Sequence, residues 1–212
     1  MNIFRFLGDL SHLASIFILL HKMTTSRSCR GISFKSQALY LAVFVSRYLD
    51  LFWAFHSLYN TLMKLFFIGA TGYTLYLMKY RYRATQDPAL DTFKLVWILA
   101  PVTVLALIFN YEFSFAEIMW SFSIWLESVA ILPQLFMLQR TGEAETITTH
   151  YLAALGLYRG LYIPNWIYRY ITEGQFDPIA VTAGIIQTAI YADFGYIYVT
   201  KVLRGQKFEL PA

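Results

Sequence analysis

Seven apolar stretches alternate with short polar connections along this 212-residue chain, at approximately residues 2–21, 36–54, 57–78, 95–109, 114–139, 148–171 and 179–200. A helix of about 20 apolar residues rises far enough to cross a hydrocarbon core of about 30 Å. The pattern therefore predicts an all-α integral membrane protein of seven transmembrane helices. The connections hold about 60 residues in total, which leaves no room for a water-soluble domain. Residues 1–212 read as one transmembrane domain, with residues 201–212 as a tail. Composition agrees: 58% of residues are apolar and 14% charged, against roughly a quarter charged in soluble proteins.

The basic residues set an orientation. Twelve of the seventeen lie in connections 22–35, 79–94 and 140–147 or in the tail after residue 200. Segments 55–56, 110–113 and 172–178 carry none, and hold Glu112, Glu173 and Asp177 instead. Positive residues in short loops stay on the cytoplasmic side, so the N-terminus is expected outside the cytoplasm and the C-terminus inside. The net charge of +4 is then a topological signal, and no nucleic-acid partner is expected. The first run carries Arg5, Asp9 and His12 and almost no basic region before it. It reads as a retained span rather than a cleaved signal peptide. Cys29 is the sole cysteine, so no disulfide is expected.

A weak internal repeat runs through the chain. An offset of 112 residues lays residues 2–35 over 114–147 and Arg47 over Arg159. Two parallel three-helix units follow, residues 1–78 and 114–200, joined by a linker helix at 95–109. This is the parallel-repeat plan of the SWEET transporters. Pro133-Gln134 resembles the Pro-Gln hinge of that superfamily, whereas the offset positions in the first unit are His21-Lys22.

The remaining five basic residues, Arg5, Arg47, Lys64, Arg159 and Arg169, lie inside the apolar runs. An ionisable residue there costs roughly 2.5–3.5 kcal/mol at the bilayer centre and is a functional candidate. Arg5, Asp9 and His12 share one helical face by their spacing. Arg47 and Asp50 lie close together, Glu117, Trp120 and Glu127 descend one span, and Tyr158, Tyr162, Trp166 and Arg169 form a stripe on another. With a rise of about 1.5 Å per residue, the three arginines 5, 47 and 169 lie below the non-cytoplasmic surface. His12, Glu127 and Tyr158 lie near the midplane. Lys64 and Arg159 are expected to pair with acids such as Asp193. Arginines converging on a cavity want carboxylates, which the planar guanidinium grips at two points, and Asp50 and Glu117 add a place for one cation. A peptide C-terminus with acidic side chains and a basic residue a few positions earlier meets that demand.

The sequence resembles the KDEL receptors, the ER-lumen protein-retaining receptors, over its whole length. The resemblance runs through MNIFR..GDLSHL at 1–13, SRYLDLF at 46–52, SLYNT.MK at 57–64, LESVAILPQLFM at 126–137, RTGEAETITTHYL at 140–152 and LGLYR.LY..NW at 155–166. It implies a SWEET-like fold and a receptor in endoplasmic reticulum and cis-Golgi membranes. Such a receptor binds C-terminal KDEL or HDEL signals in the acidic Golgi, releases them at neutral pH and cycles with COPI and COPII coats. It also implies that Arg5, Arg47 and Arg169 hold carboxylates, with Asp50, Glu117 and Trp120 around the basic first residue of the signal. Tyr162 and Trp166 form the pocket wall in this reading, and His12, Glu127 and Tyr158 sense pH. Asp193 is expected to re-pair during a conformational switch. Lys201, Arg204 and Lys207 in the tail are expected to meet coats, as are Glu143 and Glu145 in the facing loop, the two groups pairing by charge between cycles. The tail departs from many relatives at Arg204 and Gln206, and Pro164 stands where a kink beside the pocket would form. A SWEET-like transporter of a small acid or sugar is the alternative. An enzyme is not expected, nor is any cofactor or metal, because no nucleophile–base pair or ligand cluster is present.

Overall fold

The protein is described here by a computed structural model that covers residues 2–141, 143–144, 146–206 and 208–209. Among these residues there are eight α-helices: α1 (Ile3–Ser26), α2 (Phe34–Arg47), α3 (Leu58–Tyr76), α4 (Val96–Ile108), α5 (Phe115–Val129), α6 (Leu132–Thr141), α7 (Thr146–Glu173) and α8 (Pro178–Thr200). Short polar side chains begin most of them by accepting a bond from an otherwise unpaired amide. Asn2, Ser33, Ser57, Ser114 and Asp177 accept from the amides of Arg5, Ser36, Asn60, Glu117 and Ala180. At the far end of α1, Arg27 takes the left-handed conformation with φ 48° and returns its amide to the Met23 carbonyl.

The predicted runs and the helices correspond, with three differences. The fifth run is two helices, because the chain breaks at Ala130–Ile131 and restarts with Pro133 in the first turn of α6, where a missing N–H does no harm. Gln134, 1% exposed, locks that break to the start of α2. Its side-chain oxygen accepts from the Ser33 amide at 2.8 Å, its side-chain nitrogen donates to the Gly31 carbonyl at 2.9 Å, and its own amide donates to Ser36 Oγ at 2.9 Å. The second run ends as a helix at Arg47 and continues as a 3₁₀ turn, Leu49–Phe52. The first run is longer than its apolar core. Lys22 belongs to α1 rather than to a loop and is buried, donating to the Arg30 carbonyl at 2.9 Å and to Thr148 Oγ1 at 2.7 Å. Despite Pro164, α7 continues to Glu173.

Helix α1 packs most extensively on α7, and α2 on α5. Helix α3 touches both α1 and α2, and α8 touches both α5 and α7, while α4 lies on α5. The core between them is apolar, with Val43, Met78, Leu126, Ile131 and Leu152 fully buried. The outer faces are apolar too: Leu62, Leu65, Trp97, Ile108, Ile186, Tyr196 and Val199 all stand exposed. A protein surrounded by water rarely exposes so many large apolar side chains, and lipid is the solvent that suits them. Among the described residues, two helical runs, Ile3–Ser26 and Phe115–Thr141, are long and apolar enough to cross a membrane by length and composition alone.

At the basic end of the bundle the connections are knitted together. Ser33 Oγ and the Lys35 amide both donate to Asp91, at 2.9 and 3.1 Å, and the Cys29 amide donates to Thr85 Oγ1 at 3.0 Å. Residues β1 (Glu143–Ala144) and β2 (Phe208–Glu209) pair antiparallel, Glu143 opposite Glu209 and Ala144 opposite Phe208.

Candidate functional site

The site is a cavity of about 590 Å³ at the opposite end of the bundle, within the usual range of ligand pockets. Arg5 of α1, Arg47 at the last turn of α2 and Arg169 of α7 all line it, together with Trp120, Tyr162 and Trp166. Also in the wall are Asn165, which the sequence did not single out, and Asp177, which it offered only as a charge of the 172–178 connection. Asn165 accepts from Asn2 Nδ2 at 2.8 Å, which ties the start of α1 to α7.

The three guanidinium groups differ in depth and in partner. Arg5 is half exposed, 4.0 Å from Asp9, and Asp9 in turn accepts from the Tyr162 hydroxyl at 2.7 Å. Arg169 is 37% exposed and donates to Glu173 at 2.9 Å and to the Gln175 side chain. Arg47 is 16% exposed and donates from Nε to Ser123 Oγ at 3.1 Å and from Nη2 to the Ser123 carbonyl at 3.0 Å. Its Nη1 lies 2.5 Å from Glu127 Oε2.

Beneath Arg47 lies a buried charged cluster. Glu127, 2% exposed, is held on its other oxygen by Arg159 Nη2 at 2.7 Å and accepts from the Tyr158 hydroxyl at 2.9 Å. The Arg159 guanidinium covers the Tyr158 ring at 4.9 Å and the Tyr162 ring at 5.7 Å, favourable cation–π distances. His12 stacks flat on Tyr158, ring centroids 4.3 Å apart, with Phe67 at 4.7 Å on another side. The cluster brings two permanent cations, one carboxylate and one titratable ring within the bundle. It therefore carries one more positive than negative charge.

Two glycines shape the wall. A Cβ on Gly8 would meet the Tyr162 ring at 3.0 Å, and one on Gly184 would lie 2.0 Å from the Trp166 ring. The aromatic stripe Tyr158–Tyr162–Trp166 stands edge to face, with centroids 5.2 and 5.8 Å apart, and depends on both gaps.

Several expected contacts are not those of the structure. Asp50 and Glu117 do not line the cavity. Asp50 pairs with Lys64 at 2.5 Å and lies 3.3 Å from His56, and Glu117 lies 3.5 Å from the Tyr111 amide. Lys64 and Arg159 do pair with carboxylates, but with Asp50 and Glu127, not with Asp193. Asp193 is exposed on α8, and no ion pair to it exists among the described residues. His12 meets Tyr158 face to face rather than through a hydrogen bond. At the other end of the bundle, Lys201 caps α8 and Arg204 is exposed in a 3₁₀ turn. Glu145 and Lys207 lie outside the described residues, as does the side chain of Glu143.

A helical bundle with an apolar outer surface suits a membrane, and its arginine-lined cavity over a buried ionic cluster suits anionic groups. The family model described as "ER lumen protein retaining receptor" matches residues 28–169. The chain is 61% identical to the ER lumen protein-retaining receptor 2 of Gallus gallus, with 212 residues aligned and both chains covered completely. Identity is 58% to the receptor 2 of Homo sapiens and 56% to the ER lumen protein-retaining receptor of Drosophila melanogaster, again over the whole of both chains. The chain belongs to the ER lumen protein retaining receptor family, a family of receptors and not of enzymes.

Proposed function

We propose that the chain retrieves soluble endoplasmic-reticulum proteins by binding the C-terminal tetrapeptide of their KDEL or HDEL signals in the acidic Golgi and releasing them at neutral pH. The observation that carries this reading is the convergence of Arg5, Arg47 and Arg169 on one cavity whose floor has excess positive charge. A peptide bearing a terminal carboxylate and two acidic side chains brings three anionic groups to three guanidiniums. The terminal carboxylate goes to Arg47, the deepest, where it competes with Glu127. Acidic side chains go to Arg5 and Arg169, in place of Asp9 and Glu173. Trp120, Tyr162 and Trp166 bound the peptide's aliphatic parts, and Asp50 and Glu117, outside the cavity lining, attract its basic residue.

His12 supplies the pH response. An incoming carboxylate draws positive charge toward the cluster, and His12 is the one side chain there whose type ordinarily titrates near neutrality. Carboxylate capture and proton uptake are then linked, so each favours the other. Affinity is highest at acid pH and falls as pH rises through the imidazole range, by at most about tenfold per unit for a single proton.

The N-terminus is luminal and the C-terminus cytoplasmic in this reading, with residues 1–78 and 114–200 as SWEET-like units and α4 as linker. The helix contacts support that division: α1 on α7 and α2 on α5 exchange with each other under the 112-residue offset, and α3 and α8 each lie between their unit's other two helices. The tail residues Lys201, Arg204 and Lys207 address COPI, and the loop around Glu143 and Glu145 addresses COPII. Pairing of β1 with β2 supports the idea that one segment masks the other, and Asp193 is the candidate partner in a shift of α8. Binding measured from pH 5.5 to 7.5 with peptides ending in KDEL, in HDEL and in an amidated KDEL tests the core of the proposal. Tight acid-dependent binding of the first two and loss with the amide is the expected result. Equal binding of the amide overturns it.

A further inference from the structure

The basic end of the bundle holds a second cavity, of about 360 Å³, lined by Phe34, Lys79, Tyr80, Arg83 and Gln86. Its architecture is unusual for a simple loop. Helix α3 does not end cleanly but widens into a π turn over Leu77–Arg81, closed by the Tyr82 amide on the Leu77 carbonyl at 2.7 Å, and then tightens into a 3₁₀ turn over Arg83–Thr85. Such π turns concentrate at functional sites. Leu77 and Met78 anchor the turn in the core while Lys79, Tyr80 and Arg81 face out. Thr85 fixes it from the other side, accepting from the buried Cys29 amide and donating to the Tyr82 carbonyl at 2.7 Å.

The chemistry of the cavity is one-sided. Lys79, Arg81 and Arg83 pair with no carboxylate among the described residues, and the neighbouring Asp87 lies 3.8 Å from Arg30. The Lys79 ammonium rests over the Tyr80 ring at 5.6 Å. Gln86 lines the cavity, and its side-chain nitrogen is buried with no acceptor, a costly arrangement for a polar donor. Two cations and an unpartnered amide donor at a preformed concavity describe an anion site. Basic pockets between membrane helices on the cytoplasmic side suit phosphorylated lipid headgroups, and aromatic residues such as Phe34 and Tyr80 suit headgroup depth.

We propose that this cavity binds the phosphorylated inositol headgroup of an anionic lipid, with Lys79 and Arg83 clasping a phosphate and the Gln86 side chain turning its unpartnered Nε2 toward a headgroup oxygen. The leaflet rests on the orientation given above, which makes this end cytoplasmic. Topology alone would need the positive charges but not the π turn or the buried amide.

The test uses the full-length chain in nanodiscs, where both faces meet lipid and orientation is immaterial. The discs contain phosphatidylcholine with either phosphatidylinositol 4-phosphate or phosphatidylserine at matched negative charge, and native mass spectrometry reads the lipid retained after detergent stripping. The chain should retain the inositol lipid selectively. One basic residue near an anionic surface is worth about fivefold, so Lys79→Ser with Arg83→Ser should weaken retention roughly twentyfold or more. Gln86→Leu should weaken it while leaving charge unchanged. Binding of a KDEL-ending peptide serves as the control for folding and should be unaltered in all variants. Equal retention of phosphatidylserine, unaltered retention in the variants, or capture of soluble inositol phosphate without lipid retention overturns the proposal. Peptide binding that fails in the unsubstituted chain while lipid is retained counts against the retrieval reading alone.

Discussion

Arg47 and Arg159 lie 112 residues apart and grip the two oxygens of a single carboxylate, Glu127, at 2.5 and 2.7 Å. They are also the two arginines matched by the internal repeat. Equivalent positions of the two halves thus meet near the bundle centre, on one acid that only the second half supplies. The carboxylate is buried, and its loss leaves two guanidiniums facing each other. Removing one partner of a buried ion pair typically costs about 3–5 kcal/mol. Glu127→Gln should therefore lower thermal stability in detergent clearly, and Arg159→Leu added to it should restore part of the loss. A Glu127→Gln chain as stable as the unsubstituted one would show that the cluster is hydrated.

Arg47 is the deepest of the cavity arginines and is oriented by two bonds to Ser123. Truncating one side of a desolvated charge pair costs about 2–5 kcal/mol, so Arg47→Ala should weaken peptide affinity by tens to thousands of fold. Arg47→Lys should also fail, because an ammonium cannot hold Ser123 and a carboxylate in one plane. Isothermal titration with a KDEL peptide reads both; near-normal affinity for the lysine variant removes Arg47 from the carboxylate role.

The pH response should come from the cavity floor and not from its mouth. His12→Ala should flatten affinity between pH 5.5 and 7.5. Tyr111, in the connection after α4, donates to Asp177 at 2.7 Å, and burial together with that bond pushes its hydroxyl up to about 12. A phenol shifted upward from about 10 stays protonated throughout the physiological range. Its contribution is complete below pH 10 and is lost only as pH rises through the folded value. Tyr111→Phe should leave the slope of affinity against pH untouched, and a changed slope would place part of the sensor at the mouth.

Trp166 occupies the space that a side chain on Gly184 would need. Gly184→Val should push the indole into the cavity and reduce peptide binding at least tenfold. Gly160→Ala, on the same helix as Trp166 but with nothing within 4 Å of the added carbon, serves as the contrast. It should bind peptide normally and gain up to about 1 kcal/mol from helix propensity. Comparable loss in both variants would mean that glycine flexibility, not space for Trp166, is what matters.

The tail prediction concerns traffic. Replacing Lys201 and Lys207 by Ser leaves ten of the twelve topogenic charges. Peptide binding and orientation should persist while the loaded receptor accumulates in the Golgi, as read by microscopy of a tagged chain with an HDEL reporter. Return of that variant to the endoplasmic reticulum would remove the tail as a coat signal.

Hydropathy located the helices because lipid and core demand the same apolar character, so nearly every residue of a span carries the signal. It could not locate the break at Ala130–Ile131, where the apolar run continues on both sides; Pro133-Gln134 was the only local sign. Helical rise placed Arg5, Arg47 and Arg169 toward the same end of their spans, Arg47 the deepest, and the structure brings them to one cavity. Spacing within a helix does not say which helix lies opposite. That is why the Arg159–Glu127 and Lys64–Asp50 pairs were not read from sequence, and why Asp193 was assigned partners it does not have. Ser123 and Gly184 carried no chemical signal of their own, since their roles are to receive a guanidinium and to be small. Lys22 misled for a related reason: a charge predicts a loop until a folded carbonyl and hydroxyl are there to solvate it.

The surplus cation between Arg47, Arg159 and Glu127 has a consequence for the solution around the receptor. A buried positive centre beside an open cavity favours counterions, so chloride, phosphate and buffer carboxylates all compete for the place a peptide terminus would take. Cargo capture is on this view an ion exchange, and its strength depends on which salt is present as well as on how much. Receptor titrated in acetate and in a bulky sulfonate buffer at one pH and ionic strength should give different peptide affinities, with the smaller carboxylate the stronger competitor.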